Sequence, residues 1–378
     1  MASGRRSLSI VLICLGISLS AAGEVAAVDC PTVSRPVCQC GDTVIADYTM
    51  SDHLRNASSV AQCLTGDGLT VASGVTLNCE GFGITGNFDA NGIVNKYGIV
   101  IKKADDVNII ACNISDFYTG VRLTDSRDVR FEDVSALNNG HYGIEVTDTN
   151  DSPATYTQRV SIVASDITGN GDEGIHMSTA LGLSPAPPVA NHSIIGNSVI
   201  DNGCEGIYVL RINGSSNANV GVRVFSNSVY GNDSACAASG SHAGIYVKTS
   251  SYNRFRYNSL THDFMHITDS SNNNKILSTV INHSFMKIDA NSSSNALTQV
   301  CVLGDTVTPS NSFQIKTGAN NNTCGSCAAY RPSADHIDAV GSSGNTFTNL
   351  RINTVSPLIA AGSGVSVTTS TNPLSCLN

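Results

Sequence analysis

One short phrase recurs along the chain and restricts its possible folds more than any other feature. Six copies place two apolar residues around one variable residue after a glycine: Gly98-Ile-Val-Ile, Gly120-Val-Arg-Leu, Gly143-Ile-Glu-Val, Gly174-Ile-His-Met, Gly206-Ile-Tyr-Val and Gly244-Ile-Tyr-Val. Looser copies follow as Met265-His-Ile and Met286-Lys-Ile. The apolar residue after the glycine recurs at steps of 22, 23, 31, 32, 38, 20 and 21 residues. A second phrase lies between the copies, as in Asn197-Ser-Val, Asn227-Ser-Val and Asn258-Ser-Leu.

A period of about 20 to 25 residues that holds short alternating strands is typical of a solenoid. No helix-length amphipathic pattern separates the phrases, so a leucine-rich-repeat unit is excluded. The chain contains 34 glycines and 36 asparagines, the residues that turn a backbone through left-handed bends. The sequence therefore predicts an all-β parallel β-helix with apolar residues pointing inward and asparagines bonded from coil to coil at the bends.

The charge balance excludes several classes of protein. Only 13% of the 378 residues are charged and the formal net charge is −9. A nucleic-acid-binding protein normally presents a basic surface, so we expect no nucleic-acid partner. No apolar stretch reaches the length of a membrane span.

The first residues and the cysteines both predict export. Arg5 and Arg6 precede an apolar run of twelve residues and then small residues, which is the pattern of a secretory signal peptide. Twelve further cysteines follow, and an even number in an exported chain indicates disulfides. Cys204 with Cys236 and Cys79 with Cys112 are candidate pairs. Nine Asn-x-Ser/Thr sequences are candidate glycosylation sites.

The segment Gly68-Leu-Thr-Val-Ala-Ser-Gly-Val-Thr-Leu-Asn-Cys-Glu-Gly-Phe-Gly-Ile-Thr-Gly86 resembles the first coil of secreted β-helix repeat proteins. Over roughly residues 40–300 the chain is similar to the right-handed parallel β-helix superfamily with the pectin-lyase-like fold. That superfamily includes polysaccharide lyases, polysaccharide hydrolases, uronan C5-epimerases, phage tailspikes and surface proteins without enzymatic activity. The Asp-Pro-His-Asp motif of alginate C5-epimerases is absent from this sequence, so the resemblance implies no role for an individual residue.

We expect four segments along the chain. Residues 1–23 are the predicted signal peptide, and residues 24–66 are a cysteine-rich N-terminal cap with a first strand. Residues 67–300 form the coils of the β-helix. Residues 301–378 lose the repeat and are a C-terminal cap or irregular coils with disulfides.

Strand alternation predicts which residues point outward. Because the two apolar residues of each phrase point inward, the residue between them faces solvent, and successive copies lie about 4.8 Å apart. This predicted column contains Val100, Arg122, Glu145, His176, Tyr208, Tyr246, His266 and Lys287. Three residues before each inward residue lies a second predicted line of His141, Asp172, Cys204, His242, His262 and His283. One residue further along, Tyr142, Glu173, Glu205 and Asp263 are expected to form a third line.

Coil length marks the centre of this face as a candidate functional site. The plain coils contain 20 to 23 residues, whereas three consecutive coils are longer. Their insertions follow or precede the strands with Glu145, His176, Tyr208 and Tyr246. Long loops without regular structure are often functional, and loops here would border a groove that accepts an extended chain.

Histidine and tyrosine beside cations favour proton abstraction next to a uronate carboxylate. A cation neutralises the carboxylate, one side chain removes the C5 proton, and another protonates the leaving oxygen of a lyase reaction or the opposite face in an epimerase. We assign His176 as the base, and Tyr208 or Tyr246 as the acid. Arg122, Arg211 or Lys248 is the neutralising cation. Glu145 and Glu205 orient these groups or bind sugar, and His242, Lys248, His266 and Lys287 are further substrate-binding candidates.

Three alternatives remain open. A glycoside hydrolase would use paired carboxylates about 5 to 9.5 Å apart, which Glu145, Asp172, Glu173 and Glu205 could supply. A metal site could use His262, Asp263, His266 and His283, and calcium could bind acidic side chains and carbonyl oxygens. We therefore expect no certain cofactor, with calcium as the candidate. The third alternative is a cell-wall-binding or surface-binding protein that catalyses no reaction.

Overall fold

The structure is a computed structural model of the chain. It describes residues 28–55, 61–64, 66–88, 97–149, 156–179, 190–216, 220–232, 243–304, 311–330, 336–352 and 364–370. The regular elements in these residues are β-strands, which we number β1 to β36 in chain order.

The strands form three parallel sheets, A, B and C. Sheet A contains β1 (Asp29–Cys30), β2 (Asp42–Val44), β4 (Leu69–Val71), β7 (Tyr97–Lys102), β10 (Thr119–Thr124), β13 (Ile144–Thr147), β16 (Ile175–Ser178), β19 (Ile207–Leu210), β22 (Ala243–Lys248), β25 (Phe264–Thr268), β28 (Met286–Ile288), β31 (Phe313–Ile315) and β34 (Ile337–Asp338). Sheet B contains β3 (Tyr48–Thr49), β5 (Thr76–Asn78), β8 (Asp105–Ile110), β11 (Arg127–Glu132), β14 (Ser161–Val163), β17 (His192–Ile195), β20 (Val222–Phe225), β23 (Arg254–Arg256), β26 (Lys275–Leu277), β29 (Ala296–Thr298), β32 (Thr323–Gly325), β35 (Ser343–Ile352) and β36 (Gly364–Thr369). Sheet C contains β6 (Gly83–Thr85), β9 (Asn113–Ser115), β12 (Ser135–Leu137), β15 (Asp166–Thr168), β18 (Ser198–Ile200), β21 (Ser228–Tyr230), β24 (Ser259–Thr261), β27 (Val280–Asn282), β30 (Cys301–Leu303) and β33 (Ala328–Tyr330), and the end of β35 pairs with β33.

Each coil visits the three sheets in the order A, B, C, and each strand pairs with the equivalent strand of the next coil. For example, β13 pairs with β16 and β16 with β19, all in parallel. The predicted parallel β-helix is thus confirmed. Parallel pairing also continues outside residues 67–300, through β1 to β3 at one end and β30 to β36 at the other.

The core lies inside the three sheets because their strands alternate between inward apolar and outward polar residues. Ile144 and Val146 of β13 are buried, while Glu145 between them is partly exposed. Phenylalanines fill the wider parts of the interior, and Phe117, Phe131, Phe255, Phe313 and Phe347 are among the largest fully buried side chains.

Buried asparagines connect the coils at the bends, as predicted. One ladder at the bend between sheets C and A contains Asn139, Asn170, Asn202 and Asn232, each side chain donating to the carboxamide oxygen of the next asparagine. Equivalent ladders lie at the other two bends, around Asn227 and Asn295. The ladders satisfy polar groups that a closely packed solenoid would otherwise leave without partners.

Disulfides reinforce both ends of the described chain. Cys30 pairs with Cys38, Cys40 with Cys63, Cys79 with Cys112, and Cys324 with Cys327. The predicted bond between Cys79 and Cys112 is confirmed. Cys204 is also disulfide-bonded, whereas Cys236 lies outside the described residues, as does the predicted signal peptide. In the part of the chain that the structure describes, no helix has the length and apolar character needed to cross a membrane.

The glycine of the repeated phrase is required by close packing between coils. A Cβ atom on Gly174 would lie 2.8 Å from the Gly206 carbonyl oxygen, the Asn202 Nδ2 and the Val199 Cγ1. Such distances force the neighbours apart. We expect Gly174→Ala to lower the free energy of unfolding by about 2 kcal/mol, measured by denaturant and thermal unfolding.

The matched control for this prediction is Gly325→Ala. A Cβ atom at Gly325 would have its nearest neighbour 4.0 Å away, so this variant should unfold as the wild type does. Equal stability of the two variants would contradict the close-packing explanation for Gly174.

Candidate functional site

The outer face of sheet A carries the predicted column in the predicted register. Strand pairing aligns Val100 with Arg122, and each later member with the one before it: Glu145, His176, Tyr208, Tyr246, His266 and Lys287. The repeated phrase therefore specifies this register correctly. The chemical roles assigned to these residues remain predictions.

Aromatic and imidazole rings along this face form a continuous series of contacts, which we call the ring ladder. Its members are Tyr118, His141, Tyr142, His176, Tyr208, Tyr246 and His266, with neighbouring ring centroids 3.8 to 5.2 Å apart. Tyr208 is stacked on Tyr246 at 5.0 Å, and Tyr246 is stacked on His266 at the same spacing. The ladder spans the coils whose connections are longest in the sequence.

His176 lies at the centre of the ladder, close to a carboxylate with which its Nδ1 atom forms no hydrogen bond. Its Nδ1 atom is 3.5 Å from Oε1 of Glu173 on the same coil, and the two side chains are 13% and 9% exposed. The Tyr142 ring packs against the imidazole at 4.7 Å on one side, and the Tyr208 ring meets it edge-on at 5.2 Å on the other. A carboxylate beside one ring nitrogen orients the imidazole and favours the tautomer in which the other nitrogen accepts a proton.

A second imidazole–carboxylate pair lies one coil before the first. The Nε2 atom of His141 is 3.0 Å from Oδ2 of Asp172, and its ring stacks on Tyr118 at 4.8 Å. Tyr142 contacts both imidazoles and therefore connects the two pairs. The sequence analysis placed His141, Asp172, Tyr142 and Glu173 in its second and third lines, and it gave a role only to Asp172 and Glu173, as carboxylates of the hydrolase alternative. The signal that could have identified them is an acid three residues before His176 and another one coil after His141.

The tyrosines of the ladder are held in the protonated form. Burial, followed by the Glu205 and Glu173 carboxylates, raises the pKa of the Tyr208 phenol well above its ordinary value, although Arg211 opposes the shift. Burial also raises the pKa of Tyr246, and burial together with Glu173 and Asp172 raises that of Tyr142. These phenols can therefore donate a proton or a hydrogen bond, but they are poor bases near neutral pH.

The far end of the ladder forms a separate charged cluster. The Nε2 atom of His266 and the Nζ atom of Lys287 lie 3.0 and 2.8 Å from the two carboxylate oxygens of Asp289. Burial alone would raise the pKa of the Asp289 carboxyl, but its hydrogen bonds with His266, Lys287 and Thr268 outweigh burial and lower it well below the usual range. His266 and Lys287 are thus both paired with one carboxylate.

The other predicted cations differ in how far their charge is already compensated. Arg122 lies 3.6 Å from Glu145 and bonds to the hydroxyl of Tyr97, over whose ring its guanidinium sits. Lys248 lies 3.4 Å from Asp269. Arg211 follows β19 directly and lies close enough to Tyr208 to influence its phenol. Arg211 forms no ion pair with the described residues, so its charge is available to a substrate carboxylate next to Tyr208.

Two further predicted site residues have different outcomes. Glu205 is 4% exposed and lies beside Glu173, because the amide of Gly174 donates to the Glu205 carbonyl. It can therefore act on Tyr208 from beneath the surface more readily than it can touch a polymer. His242 lies outside the described residues, and so does part of each long connection next to the ladder.

The predicted second line is only partly correct. The backbone bonds from Asp172 to His141 and from Cys204 to Asp172 confirm its first three members. His262 and His283 do not continue it: they stack on each other at 4.9 Å at a left-handed bend between sheets C and A. The reason is coil length, since five residues separate the bend residue Asn138 from Ile144, whereas two separate His262 from Met265.

The same change of length places Asp263 elsewhere. Its Oδ2 atom accepts hydrogen bonds from Asn232 and extends the asparagine ladder, so Asp263 is not in the line of Tyr142, Glu173 and Glu205. His262 and His283 are consequently remote from the site of His266. Among the described residues, no group of three or more histidine, cysteine, aspartate or glutamate side chains is arranged to hold a metal ion. Calcium binding remains a prediction.

Comparisons with known proteins agree with the fold. Residues 51–217 match the family model described as right handed beta helix region. No curated protein matches the sequence. Similar solved structures include a PL6 alginate lyase with a trisaccharide (TM-score 0.47, 10% identity, covering 91% of this chain and 88% of the lyase). They also include the catalytic unit of a GH87 α-1,3-glucanase from Streptomyces thermodiastaticus (0.45, 14%, 87% and 64%) and the periplasmic alginate epimerase AlgG (0.37, 14%, 80% and 61%).

These identities are low, and the similarities concern the fold alone. The family match and the coil-by-coil strand pairing agree with each other over the central coils. The chain folds as a parallel β-helix, and its residues 51–217 match the model of a right handed beta helix region.

Proposed function

We propose that the chain is an exported carbohydrate-active enzyme that binds an extended, uronate-containing polysaccharide along the outer face of sheet A. It removes the C5 proton of a uronate residue and acts as a polysaccharide lyase or a uronan C5-epimerase. The observation that carries the proposal is the row of an oriented imidazole and two protonated phenols, His176, Tyr208 and Tyr246, on three successive coils.

His176 is the proton acceptor in this proposal. Glu173 lies at Nδ1, so Nε2 is the atom that takes the C5 proton. The Glu173 carboxylate then stabilises the imidazolium that forms, as an acid does beside a catalytic histidine. His141, held by Asp172, is the second imidazole within reach of the same substrate region.

Tyr208 is the proton donor, with Tyr246 stacked behind it. In a lyase reaction, the C5–H electrons form the C4–C5 double bond, the bond from C4 to the glycosidic oxygen breaks, and Tyr208 protonates that oxygen. In an epimerase reaction, a phenol returns a proton to the opposite face of C5. The raised pKa of Tyr208 keeps its proton in place until that step.

Arg211 neutralises the substrate carboxylate. A cation beside that carboxylate makes the C5 proton more acidic and stabilises the negative charge that develops in the transition state. Arg211 suits this role better than Arg122 or Lys248, which already pair with Glu145 and Asp269.

A panel of polysaccharides tests the function. Purified protein is incubated with alginate, pectate, hyaluronan and chondroitin, and with neutral glucans and mannans, with and without a calcium chelator. The proposal expects ultraviolet absorbance of unsaturated uronate to rise together with reducing ends, or proton NMR to show epimerised residues, on an acidic polymer only. Reducing ends without unsaturation would indicate hydrolysis, and no reaction on any polymer would indicate a binding protein.

Glu173→Gln tests the imidazole–carboxylate pair. Because glutamine keeps the shape but removes the charge that stabilises the imidazolium, we expect kcat to fall about 100-fold while KM changes less than about threefold. Steady-state kinetics on the responsive polymer measures both constants. Glu132→Gln, whose carboxylate pairs with Arg130 on sheet B, is the control and should leave both constants unchanged. A rise in KM at constant kcat would contradict the assignment.

A further inference from the structure

A column of cations lies on the outer face of sheet B, away from the ring ladder. Strand pairing aligns Arg223 of β20 with Arg254 of β23, and Arg254 with Lys275 of β26. The same column holds Ser161 and Ser193 on the two preceding coils and Ala296 on the following one. Small neutral residues thus suffice for the fold at this position. Apart from Arg130, three coils before Arg223 and paired with Glu132, the cations of the column lie on three consecutive coils.

A fourth cation and two aromatic rings lie next to this column. Arg256 is exposed at the end of β23, in register with the partly exposed Phe225 of β20. The guanidinium of Arg256 lies 4.4 Å from the centre of the Tyr257 ring, which is 52% exposed. We call Arg223, Phe225, Arg254, Arg256, Tyr257 and Lys275 the basic surface.

Three cations of the basic surface, unlike the arginines elsewhere near sheet B, are not compensated by a carboxylate of the described residues. Three arginines of the earlier coils pair with carboxylates, Arg127 with Asp105, Arg130 with Glu132 and Arg159 with Asp128, at 3.1, 3.0 and 2.5 Å. Arg223, Arg256 and Lys275 form no ion pair with any carboxylate of the described residues; Arg223 bonds to the amide of Asn191 and Arg256 to the hydroxyl of Tyr257. In a chain of net charge −9, this surface is a local reversal of charge that attracts polyanions.

We propose that the basic surface is a second, non-catalytic binding surface for acidic polysaccharide. Its cations recur once per coil, about every 4.8 Å, along a line that an extended polymer can follow. Arginine guanidinium groups form paired hydrogen bonds with carboxylates, and the exposed faces of Phe225 and Tyr257 offer apolar contact to sugar rings. The choice of a uronan as the polyanion rests on the proposed function.

A second attachment point would change how the protein handles long polymers. A polysaccharide bound on sheet B stays near the protein while sheet A acts on another part of the same polysaccharide. Binding at one face therefore raises the effective concentration of the polymer at the other face. A short oligosaccharide cannot reach both faces and gains nothing. The basic surface should therefore increase affinity for polymers without changing turnover of short substrates.

The experiment replaces the column with the residue that other coils use, as Arg223→Ser/Arg254→Ser/Lys275→Ser. The control, Arg127→Ser/Arg130→Ser/Arg159→Ser, removes the same charge at ion-paired positions, two of them on β11 of sheet B and one just before β14. Both are made in the wild type and in a His176→Ala background. Binding to long polygalacturonate, long alginate, a neutral glucan and duplex DNA is measured by titration calorimetry at two salt concentrations, and circular dichroism checks that the fold is kept. A second variant, Arg223→Lys/Arg254→Lys, keeps the charge and covers the case in which the serine variant fails to fold.

We expect the serine variant of the column to lose at least about tenfold in affinity for a long uronan and to show weaker salt dependence. The control should bind within about twofold of the wild type. The lysine variant keeps the charge but loses the paired guanidinium bonds, so it should lose about three- to fivefold in uronan affinity. The neutral glucan should not distinguish any of them. Unchanged uronan affinity in the serine variant, or equal affinity of the wild type for DNA and uronan, would overturn the proposal. If no polymer is turned over but the serine variant of the column loses uronan binding, the basic surface is supported and the proposed activity is contradicted. If a uronan is turned over and the serine variant binds it as the wild type does, the proposed activity is supported and the basic surface is contradicted.

Discussion

Replacing His176 by alanine is expected to lower kcat/KM on the responsive uronan about 10³-fold, with the fold unchanged. The imidazole is the group that takes the C5 proton, and the neighbouring phenols cannot replace it. Burial raises the pKa of Tyr208 and of Tyr246, so both phenols stay protonated near neutral pH and cannot accept that proton. Steady-state kinetics with the purified variant measures the loss, and circular dichroism verifies the fold.

His262→Ala is the matched control for His176→Ala. His262 is exposed at a bend between sheets C and A and lies outside the ring ladder, so its removal should leave kcat/KM within about twofold. His141→Ala separates the two imidazole–carboxylate pairs. If His141→Ala abolishes activity while His176→Ala keeps more than a tenth of it, the base is His141 and the assignment of His176 is wrong.

The second large effect concerns stability. Asn202→Ala should lower the free energy of unfolding by about 4 kcal/mol, because buried polar groups left without partners cost about 1 to 3 kcal/mol each. The Asn202 side chain is fully buried. It accepts from the backbone and side-chain nitrogens of Asn170 and donates to the Ile167 carbonyl and to Asn232. Alanine removes all four bonds and leaves a small cavity.

Chemical and thermal unfolding followed by circular dichroism measures this loss. The control is Asn282→Ala, since Asn282 is half-buried and its side chain forms no hydrogen bond with the described residues. That variant should unfold within about 0.5 kcal/mol of the wild type. A stable Asn202→Ala protein would mean that the ladders contribute little, and that the apolar interior alone holds the coils together.

The repeated phrase was sufficient to predict the fold and the register of sheet A. Two inward apolar residues recur in each copy of the phrase, six of them after a glycine, and a slip of one residue would expose both apolar side chains. The column from Val100 to Lys287 could therefore be written from the sequence. The asparagine ladders followed from the excess of asparagine at the bends.

Residues outside the phrase were predicted less well because their position depends on coil length. His262 and His283 lie three residues before the inward residues Met265 and Met286, just as His141 lies three residues before Ile144. In the coils of His262 and His283, however, the connection from the bend residue to the inward residue is three residues shorter. They therefore occupy the bend itself. The spacing to the next strand alone therefore cannot distinguish a residue at the bend from a residue on the face of sheet A. The bend residues must be aligned as well.

The pairs within the site and the basic surface were missed for two other reasons. The pairing of His176 with Glu173 and of His141 with Asp172 depends on side-chain orientation across coils, which strand alternation does not specify. Arg223, Arg254 and Lys275 lie on sheet B, where coils of 31 and 21 residues align them. Because the repeated phrase of glycine and apolar residues lies on sheet A, its alignment does not reveal this column on sheet B.

The measurement that tests the central claim most directly is the fate of the C5 proton. The wild type and His176→Ala are incubated with the responsive uronan in deuterium oxide, and proton NMR records the H5 signal alongside reducing ends. The account predicts that the wild type removes the H5 signal, through a double bond in a lyase or deuterium in an epimerase, and that His176→Ala does not. New reducing ends with the H5 signal retained would contradict proton abstraction and show that the ring ladder serves a hydrolase.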